Sequence, residues 1–121
     1  AKVRGGIEQD MSILSELMVV AAAAHVPAET AAFTEPAPDC YLILTPIVDT
    51  YPLFGDNAPL VDVNEVRCSL YCRGNYLETK AALETELLSA GFTITDRRYI
   101  GYESDTKYHH IAIDVAKHYN I

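Results

Sequence analysis

Two adjacent histidines, His109 and His110, are the residues best suited by type to move a proton or bind a metal near neutral pH. They stand in an apolar run, TKYHHIAIDVA, that reads as a β-strand. Neighbouring strand residues point to opposite faces, so the pair cannot ligate one metal together. One is expected to pack against the sheet and the other to meet water. His25 falls at the end of a helical pattern, where a cation suits the dipole, and His118 lies near the C-terminus. Asp49, Asp56, Asp62, Glu103, Asp105 and Asp114 could pair as acid and base or hold a cation, but they read as turn formers and solvated faces. Arg97 and Arg98 follow Asp96, and on a strand they diverge, so a local ion pair is expected rather than an anion site. GGIEQ and GFTITDRRYIG lack phosphate-loop spacing, and no Ser or Cys stands in a nucleophile elbow. No catalytic residue, metal site or cofactor is expected, and the chain is not read as an enzyme.

The cysteines point the same way. Cys68 and Cys72 are four apart on a strand pattern, which places them on one face but about 13 Å apart. At that distance they can neither bridge each other nor share a metal. The expectation is buried free thiols in a reducing compartment.

A chain of 121 residues is one domain and long enough to close one hydrophobic core. Half of it is hydrophobic and 21% is charged, which argues against wholesale disorder. Its formal net charge of -8 disfavours duplex nucleic acid and anionic membranes, both of which need clustered Lys and Arg. No apolar run reaches the eighteen or so residues of a membrane span, and Met18 to Ala24 lacks the flanks of a signal peptide. Cytoplasmic synthesis follows.

These residues must be positioned by a small set of elements. AKVRGGIEQD, residues 1–10, reads as a poorly ordered or loosely docked extension. A first helix is expected over Gln9 to His25, with Ile7, Met11, Leu14, Leu17, Met18, Ala21, Ala22 and His25 on its apolar side and Pro27 as its stop. Pro27 to Asp39 reads as a connector. Cys40 to Val48 reads as a strand, with Pro46 forcing a bulge or an edge. Asp49 to Asp62 is long for a hairpin loop, and Tyr51, Leu53, Phe54 and Leu60 are apolar for a solvated tip. They read as an extended hairpin arm that contacts other subunits; the other reading is a flap that folds back on the core.

Val63 to Cys72 alternates, with Val66, Cys68, Leu70 and Cys72 facing in. Asn75 with Glu78 reads as a capping box for a second helix, whose stripe is Leu77, Ala81, Leu83, Leu87 and Leu88 and whose end is Gly91. Phe92 to Tyr102 and Tyr108 to Ala116 read as two more strands around a tight turn at Ser104-Asp105, with Ile111, Ile113 and Val115 inward. The fold class is α+β, in the order αββαββ. The connection rules give a four-stranded mixed sheet of order 1-2-4-3, a permuted ferredoxin-like sheet with both helices on one face, the arm between strands 1 and 2, and the first strand as an edge.

PDCYLILTPIVDTYPLFGDN, VNEVRCSLYCRGNY and GFTITDRRYIGYESDTKYHHIAIDVA together resemble small proteins of tailed-phage and prophage structural modules, the tail completion or tail terminator proteins. The resemblance spans Asp39 to Tyr119. It implies a ring, commonly of six copies, that caps the tail tube and joins it to the head connector. The implied partners are the chain itself, as a ring or as a monomer or dimer in solution, the major tail protein and head-connector proteins. The implied places are the bacterial host cytoplasm during assembly and the head–tail junction of the virion. Two other classes remain open on the residues alone: a small ferredoxin-like regulatory or ligand-binding module, and a small hydrolase built on the scattered carboxylates and histidines.

Overall fold

The computed structural model describes residues 12–30, 37–55 and 58–120, and over 48–55, 58–62 and 119–120 it describes the backbone alone. The extension expected over residues 1–10 lies outside the described residues. The elements are α1 (Ile13–Ala23), β1 (Ala28–Glu29), β2 (Cys40–Gly55), β3 (Ala58–Arg73), α2 (Leu77–Ser89), β4 (Thr93–Glu103) and β5 (Tyr108–Asn120).

α1 begins at Ser12, whose hydroxyl accepts from the Ser15 amide at 3.2 Å. It turns Ile13, Leu17, Val20 and Ala21 into the core, whereas Met18, Ala22 and His25, expected on that face, are exposed. Both helices end in the same device. His25 N–H donates to the Ala22 carbonyl and Val26 N–H to that of Ala21, with His25 at φ 62°. Gly91 N–H donates to the Leu88 carbonyl and Phe92 N–H to that of Leu87, with Gly91 at φ 89°. Glycine adopts that left-handed conformation freely, and histidine does so at a cost. α2 buries Leu83 and Leu87, each contributing about 1.5–3 kcal/mol. The expected stripe is narrower than the sequence suggested: Leu77 and Leu88 are 61% and 60% exposed, and Ala81 is exposed. The expected capping box is also replaced. Tyr76 is the N-cap, and Asn75 Oδ1 accepts from the Leu77 amide at 3.0 Å.

The sheet has five strands in the order β1-β2-β3-β5-β4, which overturns the four-stranded sheet of order 1-2-4-3. The added strand is β1, parallel to β2 through Ala28↔Leu42 and Glu29↔Ile43. It lies in the segment read as a connector, because two residues carry no periodicity to read. Its first link is the Leu42 amide donating to the Pro27 carbonyl at 2.8 Å. β1 therefore covers part of the outer side of β2, and the first long strand is not the bare edge expected. The other pairs are antiparallel: β2 with β3, β3 with β5, and β5 with β4. Pro46 sits at a bulge, with a register shift between Pro46 and Val48. Leu42, Leu44, Val66, Cys68, Leu70, Ile111, Ile113 and Val115 meet α1 and α2 in one core.

Cys40 and Cys72 form a disulfide, which corrects the expectation of free thiols throughout. The cause is register. The Arg73 amide donates to the Asp39 carbonyl, so the next pair along, Cys40↔Cys72, is a non-hydrogen-bonded pair, where facing Cα atoms come closest. Their Cα atoms are 4.2 Å apart. Cys68 remains a free, buried thiol, and burial, helped by the Asp114 charge, pushes its pKa up to about 12.

Without reductant, thiol titration of the unfolded chain should find one reactive cysteine, and none in the native protein. Reduction should lower unfolding free energy by about 2–4 kcal/mol, since the bridge closes a 32-residue separation. Three reactive thiols in the unreduced chain would contradict the bridge. His25→Gly should raise stability by roughly 1 kcal/mol, read as a higher melting temperature, by relieving the left-handed residue.

Candidate interaction surfaces

β2 and β3 continue to pair well past the core. Thr50↔Val63, Leu53↔Val61, Phe54↔Pro59 and Gly55↔Ala58 carry the ladder to the turn, with shifts on both sides of Leu53. β5 accompanies β3 as far as Val61↔Asn120, whereas β4 starts only at Thr93↔Ala116. Among the residues whose side chains are described, the core members nearest the ribbon on these strands are Leu44, Val66 and Val115, and Ile47 is 47% exposed. Tyr51, Leu53, Phe54 and Leu60 lie on this β2–β3 ribbon by backbone position, and their side chains lie outside the described residues.

A second surface forms at the opposite edge. Among the described residues β4 pairs only with β5. α2 does not cover the far half of β4, and an aromatic cluster gathers there on the helix side. Tyr76 lies 5.1 Å from His109 and 5.7 Å from Tyr99 between ring centroids, and Tyr102 lies 4.8 Å from His109. The Tyr99 hydroxyl and His109 Nδ1 are hydrogen-bonded at 2.9 Å. Tyr99 and Tyr102 are each 50% exposed. Beside them runs a groove of about 280 Å³ lined by Tyr76, Leu77, Lys80, Arg97, Arg98 and Tyr99. Lys80 and Arg97 share Glu84 as ion-pair partner, while Arg98 pairs with Asp96. The Arg98 guanidinium holds the Asp96 carboxyl below the usual carboxylate range.

The sheet face opposite the helices carries a third constellation. Tyr41 stacks on Tyr71 at 5.0 Å, and Tyr71 stacks on His110 at 4.3 Å. Tyr108 meets Tyr41 edge-on, donates its hydroxyl to the Pro38 carbonyl at 2.7 Å and lies under the Arg73 guanidinium. Next along the face, Arg67 grips Asp114 with two hydrogen bonds of 2.8 and 3.1 Å. His110 Nε2 is buried with no hydrogen-bond partner among the described residues. Burial pulls the His110 pKa down, outweighing Glu103, which raises it; Arg67 pushes the same way as burial.

The residues weighed for chemistry are thus dispersed. His109 joins the aromatic cluster and His110 the stacked face, on opposite sides of β5. Asp114 is tied to Arg67, and His25 caps a helix. Among the described residues no three His, Cys, Asp or Glu side chains lie where they could hold a metal ion. No described helix is long and apolar enough to cross a membrane. Of the tyrosines, the sequence singles out Tyr51 alone. The available signal was eight tyrosines in 121 residues, recurring on neighbouring strands. No known family model matches the chain, and no curated protein matches it.

Because the folded His110 pKa lies below its unfolded value of about 6.5, the folded state binds this proton more weakly. Stability should therefore be full above that value and fall as pH drops through it. Urea unfolding between pH 7.5 and 5 should show this loss in the native sequence and a smaller loss in His110→Phe. An equal loss in both would contradict the assignment.

Proposed function

We propose that the protein is a structural subunit of a tailed phage or prophage particle, which completes the tail and joins it to the head connector as a ring of copies. The observation that carries this reading is the β2–β3 ribbon. It is backbone-paired as far as Gly55↔Ala58, and Ile47 near its base is 47% exposed. A long two-stranded ribbon that carries the apolar residues Tyr51, Leu53, Phe54 and Leu60 suits a contact with another subunit or with the tail tube. The resemblance of Asp39 to Tyr119 to tail completion proteins supplies the setting. The net charge of -8 suits a connector through which DNA must slide without adhering.

Leu53→Ser with Phe54→Ser tests the ribbon as an interface. The doubly changed chain should keep its melting temperature within a few degrees and fail to complete tails, leaving unjoined heads and tails in electron micrographs. A loss of several kcal/mol of stability would mean that these side chains serve the protein's own core, and would overturn the reading.

A further inference from the structure

The two ends of the sheet carry complementary chemistry. Residues 46–66, which make up the ribbon and its base, contain Asp49, Asp56, Asp62 and Glu65 and no Lys or Arg. The helix side of the β4 edge presents Arg97, its side chain 54% exposed, beside exposed Leu77, Tyr99 and Tyr102, while Arg98 turns to the other face and pairs with Asp96. The carboxylate that Arg97 shares with Lys80, on Glu84, is only 16% exposed, so the guanidinium rather than its partner meets an incoming group. Arginine and tyrosine side by side bind a segment that is both acidic and apolar, through charge-assisted hydrogen bonds and ring contacts.

Within one molecule the two surfaces cannot meet. The ribbon leaves the sheet where Val61 pairs with Asn120, and the patch sits where Tyr99 pairs with Ile111. These levels are roughly 30 Å apart along β5. They also lie on different strands, with β5 between β3 and β4. Folding the ribbon back would break its ladder.

We propose that the ribbon of one copy docks on the tyrosine–arginine patch at the β4 edge of the next copy. This rests on the subunit reading above and names the surface that receives the arm. The contact joins two different surfaces, so it is head to tail, and it closes into a ring or continues as a filament according to the angle between copies. Arg97 takes a ribbon carboxylate; Leu77, Tyr99 and Tyr102 take its apolar side chains.

Sedimentation of the full chain over a concentration series, with thiol cross-linking, tests this. One copy carries Phe54→Cys and the other Leu77→Cys; the control partner carries Thr45→Cys, on an exposed site of the opposite sheet face. A short bis-maleimide should give a Phe54–Leu77 product at least tenfold above the Phe54–Thr45 product. Arg97→Glu should shift association to at least tenfold higher concentration. A chain that stays monomeric at every concentration, a dominant Phe54–Phe54 product, or equal yields with both partners would each overturn the proposal. Tails completed without the Phe54–Leu77 link would leave the tail role standing and remove this contact. The link without any tail phenotype would keep the contact and remove the tail role.

Discussion

The whole molecule depends on β3 being hydrogen-bonded on both sides. It pairs with β2 from Ala58 to Cys72 and with β5 from Val61 to Arg73. Its inward stripe of Val66, Cys68, Leu70 and Cys72 is at most 1% exposed and forms the floor on which α1 and α2 rest. A one-residue slip would turn that stripe outward and bring Arg67, Ser69 and Tyr71 into the core. Three contacts oppose such a slip, each on a different pair of positions. The Cys40–Cys72 bridge fixes β3 to β2. The paired hydrogen bonds of Arg67 and Asp114 fix it to β5. The Tyr41–Tyr71–His110 stack spans all three strands.

That fixed register also sets what the protein can offer to others. Because β3 is tied at its centre, its continuation toward Ala58 runs between β2 and β5 as far as Val61 and, among the described residues, beside β2 alone after that. The edge at β4 is fixed by the same ladder through β5. The bulges at Ile94/Asp96 and Tyr99/Gly101, with two arginines between them, discourage indiscriminate strand pairing at this edge. Recognition there falls to side chains. Lys80 and Arg97 both pair with the part-buried Glu84 carboxylate, while Arg98 pairs with the exposed Asp96.

What could be read from the sequence depended on how far each signal extended. Ten alternating residues from Val63 to Cys72 identify a strand and its inner face without ambiguity, as do Ile111, Ile113 and Val115. Gly91 marks a helix end because glycine alone enters the left-handed region freely, whereas His25 in the same role is invisible to that rule. β1 is too short to show any period. The Cys40–Cys72 bridge depends on the exact pairing of two strands, and spacing within one strand, as between Cys68 and Cys72, says nothing about it. The pairing from Asp49 to Asp62 carried no clean alternation because the bulges near Pro46 and Leu53 break it. The aromatic patch drew its members from α2, β4 and β5, and only the fold brings Tyr76 beside Tyr99 and His109.

The central claim is that the β2–β3 ribbon is an intermolecular element and that the β4 edge receives it. Amide hydrogen exchange followed by mass spectrometry, on the unaltered chain at rising concentration, tests this most directly. The account predicts that peptides covering residues 49–62 and those covering 76–80 and 97–102 gain protection together, over the same concentration range, while the core strand from Val66 to Cys72 stays unchanged. Protection that is independent of concentration in both segments, or gained in one without the other, would contradict it.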